Sequence, residues 1–140
     1  MNAPVTTRPA PARGLLEDAF WSHVQKQQLS LQRCSACHHI WYPPGPVCPS
    51  CLSSQWQWQA ISGRGRVHAW TVFYRAYFAE LATPYTIVSV QVDEGPLLIG
   101  GIDSETPLQV GLRVQAFYER TRSKDRDEWL IYQWRAADRG

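Results

Sequence analysis

Residues 34–51 read Cys34-Ser35-Ala36-Cys37-His38-His39-Ile40-Trp41-Tyr42-Pro43-Pro44-Gly45-Pro46-Val47-Cys48-Pro49-Ser50-Cys51, two Cys-x-x-Cys pairs with ten residues between them. A two-residue gap lets one tight turn aim two thiolates at a single point, while backbone N–H groups in the turn bond to the sulfurs. Pro43-Pro44-Gly45-Pro46 is suited to turning the chain so that the second pair completes a tetrahedron around a metal ion. One such pair alone would suit a redox dithiol or a disulfide equally well. Two matched pairs in so short a window point to a tetrathiolate metal site with Cys34, Cys37, Cys48 and Cys51 as ligands. Zinc is favoured and iron stays open, because four thiolates suit either ion. Four thiolates also fill the coordination sphere and leave no position for an activated water, so the expected role of the metal is structural.

The flanking sequence agrees. Leu29 to Gln57 is rich in Cys, Pro, His and aromatic residues and poor in aliphatics. Metal binding, on the order of 10–16 kcal/mol in comparable zinc peptides, supplies what such a segment lacks in core. From Gly63 the texture changes. Val67, Ala69, Thr71 and Phe73 alternate with His68, Trp70, Val72 and Tyr74, and Val88, Val90 and Val92 alternate with Ser89 and Gln91. Period two is the mark of a half-buried strand. Asp93-Glu94-Gly95-Pro96 reads as a turn before a strand at Leu97–Ile102. Pro107 to Gly111 punctuates before Leu112, Val114 and Ala116, and Thr121 to Asp127 reads as a charged hairpin loop before a last strand over Glu128–Arg135. Five strands in about seventy residues, interrupted by the longer segment 75–83, suggest a small antiparallel barrel. His68, on a strand among aromatics, is expected to be packed.

Upstream of the cysteines, Leu16, Phe20 and Val24 recur every four residues, with Leu15 and Ala19 on the same face. That spacing predicts an amphipathic helix over Leu15–Gln28, with Glu17 and Asp18 in the first turn and Lys26 near the end, as the helix dipole prefers. Residues 1–13 are expected to form a disordered leader, since Pro4, Pro9 and Pro11 deny it helical hydrogen bonds. A secretory signal needs an apolar core of roughly 7–15 residues and a membrane span about 20, and neither run exists. A cytoplasmic location is therefore expected, in which thiols stay reduced and available for metal.

At 140 residues the chain suits one ordinary domain or two very small ones, not a catalytic barrel or a dinucleotide-binding sheet with a substrate domain. Its net charge of +2 hides a lopsided layout. Residues 1–18 are neutral. From Ala19 to Ala79 there is no acid, and Lys26, Arg33, Arg64, Arg66 and Arg75 give +5; from Glu80 onward ten acids face seven bases, giving −3. A tetrathiolate zinc site is formally −2, which lowers the middle block to +3. No Gly-x-Ser-x-Gly, His-Glu-x-x-His or phosphate-cradling glycine loop is present. His38 and His39 follow a complete ligand set, where an imidazole is more often a solvent-facing neighbour than a general base. The sequence offers no catalytic constellation.

Taken together these features suggest a zinc ribbon followed by an OB-fold, and particular residues resemble a known family. Leu31-Gln32-Arg33-Cys34-x-x-Cys37, Tyr42-Pro43-Pro44 and Cys48-Pro49-x-Cys51 are similar to the ribbon of the zinc-ribbon/OB-fold acyl-CoA-associated proteins. Ser62-Gly63-Arg64-Gly65, Val92-Asp93-Glu94-Gly95 and Val110-Gly111-Leu112-Arg113-Val114 resemble its OB landmarks, and Phe20-Trp21 fits the leading helix. The likeness runs in unbroken order over about residues 15–136. It implies a mainly β protein: a leader (1–13), a helix (14–28), a rubredoxin-like zinc ribbon (29–59), a five-stranded antiparallel OB-fold barrel (60–136) and a short tail (137–140). Two departures stand out. The family places Gly after the second Cys of each pair, where a left-handed backbone is easy, and this chain has His38 and Leu52. Leu tolerates that conformation poorly, so the second pair is expected to turn differently.

What the resemblance implies is an accessory subunit that binds acyl-CoA thioesters beside a thiolase-like, hydratase or aldolase partner carrying the catalytic residues. Arg33, Arg64 and Arg66 are the expected phosphate contacts, and Trp41, Tyr42 and Phe78 the expected lining for the pantetheine arm or adenine. Phe20 and Trp21 are the expected partner interface. The competing account of these aromatics is ordinary packing. Two other functions compete as well. OB-folds and zinc ribbons also bind nucleic acid, although a net charge of +2 with only two lysines is poor for a strand-tracking groove. A pure protein scaffold needs no small ligand at all.

Overall fold

The computed structural model describes residues 6–9, 11, 13–76, 78–79, 81–103, 105–123 and 126–137. The apolar stripe upstream of the cysteines forms helix α1 (Leu15–Gln25), which buries Phe20 and Val24. It stops three residues before the amphipathic pattern does, at a left-handed residue, Gln27 (φ 57°). There the N–H groups of Gln27 and Gln28 return to the carbonyls of Val24 and His23, the paired bonds of a Schellman ending. The side chain of Gln25 then ties the helix to the far end of the chain, its amide donating to Leu130 O (3.0 Å) and its carbonyl accepting from Leu130 N (2.8 Å).

The cysteine-rich segment forms a three-stranded antiparallel sheet, ordered β3–β2–β4, from β2 (Ser30–Cys34), β3 (Ile40–Trp41) and β4 (Trp56–Ala60). Its proline turn is clamped by the buried side chain of Gln32, which donates to Gly45 O and accepts from Gly45 N, both at 2.8 Å.

The remaining strands are β5 (Arg64–Phe73), β6 (Tyr85–Val92), β7 (Leu97–Ile102), β8 (Arg113–Ser123) and β9 (Arg126–Ala136). They close into a ring, β5–β6–β7–β9–β8 and back to β5. This is the expected five-stranded OB-type barrel, antiparallel at every junction but one, since β7 and β9 run parallel where they meet at Ile102 and Trp134. The reason is parity: strand directions cannot alternate all the way around a closed ring of five. Val67, Val88, Val90, Val92, Leu98, Val114 and Trp134 fill the interior and join one core with Phe20 and Val24 of α1 and Leu29 and Leu31 at the ribbon's edge. Ring closure requires close backbone approach at Gly65, where an added Cβ would fall 2.4 Å from the carbonyl oxygen of Gln91.

Three local expectations are corrected. His68 is the extra residue of a β-bulge between Val67 and Ala69 and is exposed, not packed. The charged segment over Thr121–Asp127 is mostly strand, since β8 extends to Ser123 and β9 begins at Arg126, with cross-strand pairs from Arg120 and Arg122 to Glu128. Residues 124–125, between them in sequence, lie outside the described residues. Within the leader, Thr6–Thr7 forms a two-residue strand, β1, parallel to Thr121–Arg122, and Arg8 pairs with Glu119 at 3.5 Å. The other leader residues 1–5, 10 and 12, and tail residues 138–140, lie outside the described set. No helix among the described residues is long and apolar enough to cross a membrane.

Candidate metal centre and adjoining cleft

Both Cys-x-x-Cys turns are built alike. In the first, Cys34 N donates to His39 O (2.8 Å) and His38 N to Cys34 O (3.0 Å); in the second, Cys48 N donates to Ser53 O (2.9 Å) and Leu52 N to Cys48 O (2.8 Å). His38 and Leu52 occupy equivalent left-handed positions, with φ of 67° and 66°. The expectation that Leu52 would make the second turn differ is therefore wrong: the hydrogen bonds around the cysteines hold the leucine in the glycine-like conformation. Backbone N–H groups reach the sulfurs as the spacing requires, from Cys37 to Cys34 Sγ and from Ser50 to Cys48 Sγ, each at 3.4 Å.

The four sulfurs converge within 4.8 Å of one another, with Cys34–Cys51 and Cys37–Cys48 separations of 3.5 and 3.6 Å. A tetrahedron with Zn–S bonds of about 2.3 Å has edges of about 3.8 Å, so the set fits a four-coordinate ion. Electrostatics agree. The Cys37 N–H is the main influence that lowers the Cys34 thiol to about 6. Cys51, although a Ser53 backbone bond favours its thiolate, is pushed up to about 12 by the surrounding sulfurs. Four thiolates at this spacing need a cation between them. Cys34 and Cys48 are buried and Cys37 and Cys51 face solvent. Trp41 and Trp56 pack against the buried pair, and Trp56 Nε1 donates to Pro46 O at 3.0 Å. Among the described residues no imidazole joins this cluster.

Beside the centre lies an open cleft of about 550 Å³, between the ribbon and the β6–β7 turn. Ile40, Trp41 and Tyr42 line it with Pro49, His38 and His39 on the ribbon side, and Glu94, Gly95 and Pro96 on the barrel side. The His39 and Trp41 rings stack with 11° between their planes. Glu94 is held by the backbone N–H of Ser62 (2.8 Å), and Asp93 N donates to Arg64 O (2.9 Å), so the turn that walls the cleft also carries the start of β5.

The six expected ligand residues separate into four places. Trp41 and Tyr42 line the cleft. Arg64 and Arg66 lie exposed on alternate positions of β5 next to its barrel-side wall, and neither forms an ion pair among the described residues. Arg33 and Phe78 are elsewhere. Arg33 donates to Gln59 Oε1 (3.0 Å) and braces β2 against β4. Phe78 lies beyond the opposite end of β5, whose ten residues span on the order of 30 Å. Tyr42 has a second role in packing, since its ring lies 5.4 Å from that of Phe20, which in turn meets buried Tyr132 edge-on. Burial raises the hydroxyl pKa of both tyrosines. The expected interface residue Phe20 is corrected to an interior one, 2% exposed at the joint of helix, ribbon and barrel. Trp21, half-buried, packs on Tyr132 and Trp129.

Sequence reading missed Arg113, which pairs across β5–β8 with Arg66 and holds Asp93 through two bonds of 2.8 and 3.1 Å. That hydrogen-bonded pair pulls the Asp93 carboxyl below its usual range, with Arg66 and Arg64 adding to the effect. It missed the wall formed by Glu94–Pro96 as well. The turn itself was legible; its approach to the ribbon is a long-range contact with no local signal.

The comparisons with known proteins follow this division. Residues 21–57 match the profile described as the rubredoxin-like zinc ribbon domain of ChsH2, and residues 58–118 match the C-terminal OB-fold domain of ChsH2. A probable enoyl-CoA hydratase alpha subunit of Thermomonospora curvata is 33% identical over 114 residues, which cover 79% of this chain but 35% of that protein. The chain thus spans about a third of that relative's length. A DUF35 domain-containing scaffold protein of Pyrococcus furiosus is 28% identical over 117 residues, covering 81% of this chain and 85% of that one. A solved chain from the Ltp2-ChsH2(DUF35) aldolase superposes with a TM-score of 0.81 over 92% of this chain and all of its own length; at 24% identity that likeness shows the fold. With ribbon and barrel matched in sequence by consecutive ChsH2 profiles, the chain belongs to the ChsH2-type zinc-ribbon/OB-fold family.

Proposed function

We propose that this chain is a non-catalytic accessory subunit that holds a structural zinc ion on Cys34, Cys37, Cys48 and Cys51. In this role it helps position an acyl-CoA thioester for a hydratase, aldolase or thiolase-like partner in the reducing cytoplasm. The observation that carries the reading is the pattern of coverage. The same ribbon and barrel make up most of an archaeal scaffold protein and about a third of a hydratase alpha subunit, so the unit serves in both settings. Among the described residues the cysteines are the one cluster of His, Cys, Asp or Glu side chains able to hold a metal, and four thiolates leave no position for an activated water. When bound, zinc supplies folding energy to the ribbon. The protein's own side chains then do the positioning. Arg64 and Arg66 can meet the phosphates as guanidinium forks, because Asp93 and Glu94 are already engaged by Arg113 and Ser62. Trp41 and Tyr42 offer the adjoining cleft a flat apolar side for the slender arm.

Nucleic acid fits less well. The outward face of β5, β6 and β7 is the one with which OB-folds commonly hold oligonucleotides. Here it carries Ala69, Thr71, Ile87, Ser89 and Ile99 over most of its length, with Arg64 and Arg66 confined to one end of β5, too few bases to track a strand. The scaffold reading is favoured by the Pyrococcus relative.

Isothermal titration with a series of acyl-CoAs, on the chain alone and with its partner, separates the two. Binding in the presence of the partner, weakened at least tenfold by joint Arg64→Glu and Arg66→Glu substitution without loss of fold, supports positioning. Silence in both settings removes the ligand role and leaves the scaffold. Retention unchanged by the double substitution refutes the arginine assignment.

A further inference from the structure

The second half of β5 leaves the barrel. Strand β8 pairs only with Arg64–Arg66, and the last bonds on that edge join Val67 to Gly111 and Leu112. Up to Val67 the strand alternates exposed and buried; from His68 to Val72 every residue is exposed. Among the described residues, Ala69–Val72 pair with β6 on one side and with no strand on the other. The arm is also apolar: Trp70 is 41% exposed, Val72 37% and Tyr74 79%. An apolar groove of about 250 Å³ runs over Ala69, Thr71, Ile87, Ser89 and Ile99 on its outward face. No charge occurs from Val67 to Tyr74, while Arg66 and Arg75 stand at the two ends. Free strand edges are normally blunted with charge, proline or a covering element, because open N–H and C=O groups template pairing. Among the described residues no strand pairs with this one, and its residue types favour strand formation.

We propose that the open edge of β5 at Ala69–Val72 is a docking surface on which the partner enzyme adds one extended strand, uncharged in the middle and carrying carboxylates at both ends. The inference rests on the accessory-subunit reading and extends it to a place on the surface. Strand addition supplies main-chain hydrogen bonds, and side chains of the added strand reach the groove and the exposed Trp70 and Val72. Charge selects the occupant. A second copy of this chain would bring its own Arg66 and Arg75 to the edge, and its block from Ala19 to Ala79 has no acid to oppose them. A strand flanked by carboxylates neutralises both ends.

The test uses the intact zinc-loaded chain and two labelled peptides with the same alternating Thr/Val centre, one flanked by glutamates and one by lysines. The acid-flanked peptide should bind at least tenfold tighter and slow amide hydrogen exchange within residues 69–72. Val72→Lys, at an exposed edge position, should abolish both effects with metal content and circular dichroism unchanged, while Leu15→Lys, on the exposed side of α1, should preserve them. Equal affinity for the two peptides overturns the proposal, as does protection confined to other strands. So does a wild-type dimer in sedimentation that Val72→Lys dissociates, since that makes a second copy the occupant. The exchange map on the wild-type chain decides even if Val72→Lys fails to fold. A catalytic subunit captured equally well by wild type and Val72→Lys overturns the surface and leaves the accessory reading standing.

Discussion

Leu52 is 73% exposed and left-handed, a combination that costs an L-residue on the order of 1–2 kcal/mol and gains little from burial. Leu52→Gly should therefore raise the denaturant midpoint of the metal-loaded chain by the equivalent of about 1 kcal/mol, and Leu52→Val should lower it, because β-branching makes the conformation worse. A lower midpoint for the glycine variant would show that the side chain is held by contacts that offset the strain. His23 offers a test in pH. Burial against the ribbon, where its ring lies 5.4 Å from that of Trp58, and then the charge of Lys26 hold its pKa below the ordinary 6.5. The unfolded chain therefore takes up the proton first as pH falls. This contribution is intact above about pH 6.5 and is lost as pH drops from there toward the folded value. Denaturation at pH 7.0 and 5.5 should show a smaller acid loss for His23→Gln than for wild type; parallel losses would remove His23 from the account. At this scale the convergence of the four cysteines was legible, because both turns are local. Arg113 was not, because its place beside Arg66 depends on how β5 and β8 pair.

At the scale of elements, period-two alternation located the barrel strands and the four-residue repeat located α1. The ends were less legible. The helix stops at Gln25, where a Schellman ending through left-handed Gln27 forms without glycine, and the charged stretch from Thr121 looked like a loop although Arg120, Arg122 and Glu128 are cross-strand partners. The parallel meeting of β7 and β9 is a property of the closed ring and belongs to neither strand's sequence. The ribbon's dependence on metal is an element-scale prediction. Its own core beyond the sulfurs is chiefly Trp41 and Trp56, whereas the barrel is filled by valines, Leu98 and Trp134. Chelation should therefore abolish hydrogen-exchange protection in β2, β3 and β4 while much of β6 and β9 stays protected. Uniform loss would mean that the Phe20–Tyr42–Tyr132 joint couples the two parts into one cooperative unit.

For the whole molecule, the net charge of +2 is a sum over differently placed parts. The acid-free block contributes the thiolate centre, the aromatic side of the cleft and the two exposed arginines at the start of β5. The acidic remainder contributes Asp93 and Glu94, both engaged by the protein itself. The sequence indicated where an anion could be met, but the residues it grouped by type fall in four places, and two of those become neighbours only through the β6–β7 turn. Phe20, expected at the interface, lies inside, and the exposed apolar surface lies instead on the outer half of β5. The central claim is that the chain serves a catalytic partner and performs no chemistry alone. It is tested most directly by capturing the tagged chain from its native host and identifying what accompanies it by mass spectrometry. The account predicts a hydratase-, aldolase- or thiolase-like polypeptide in fixed stoichiometry. Recovery of the chain alone, with acyl-CoA turnover by that isolated chain, would contradict it.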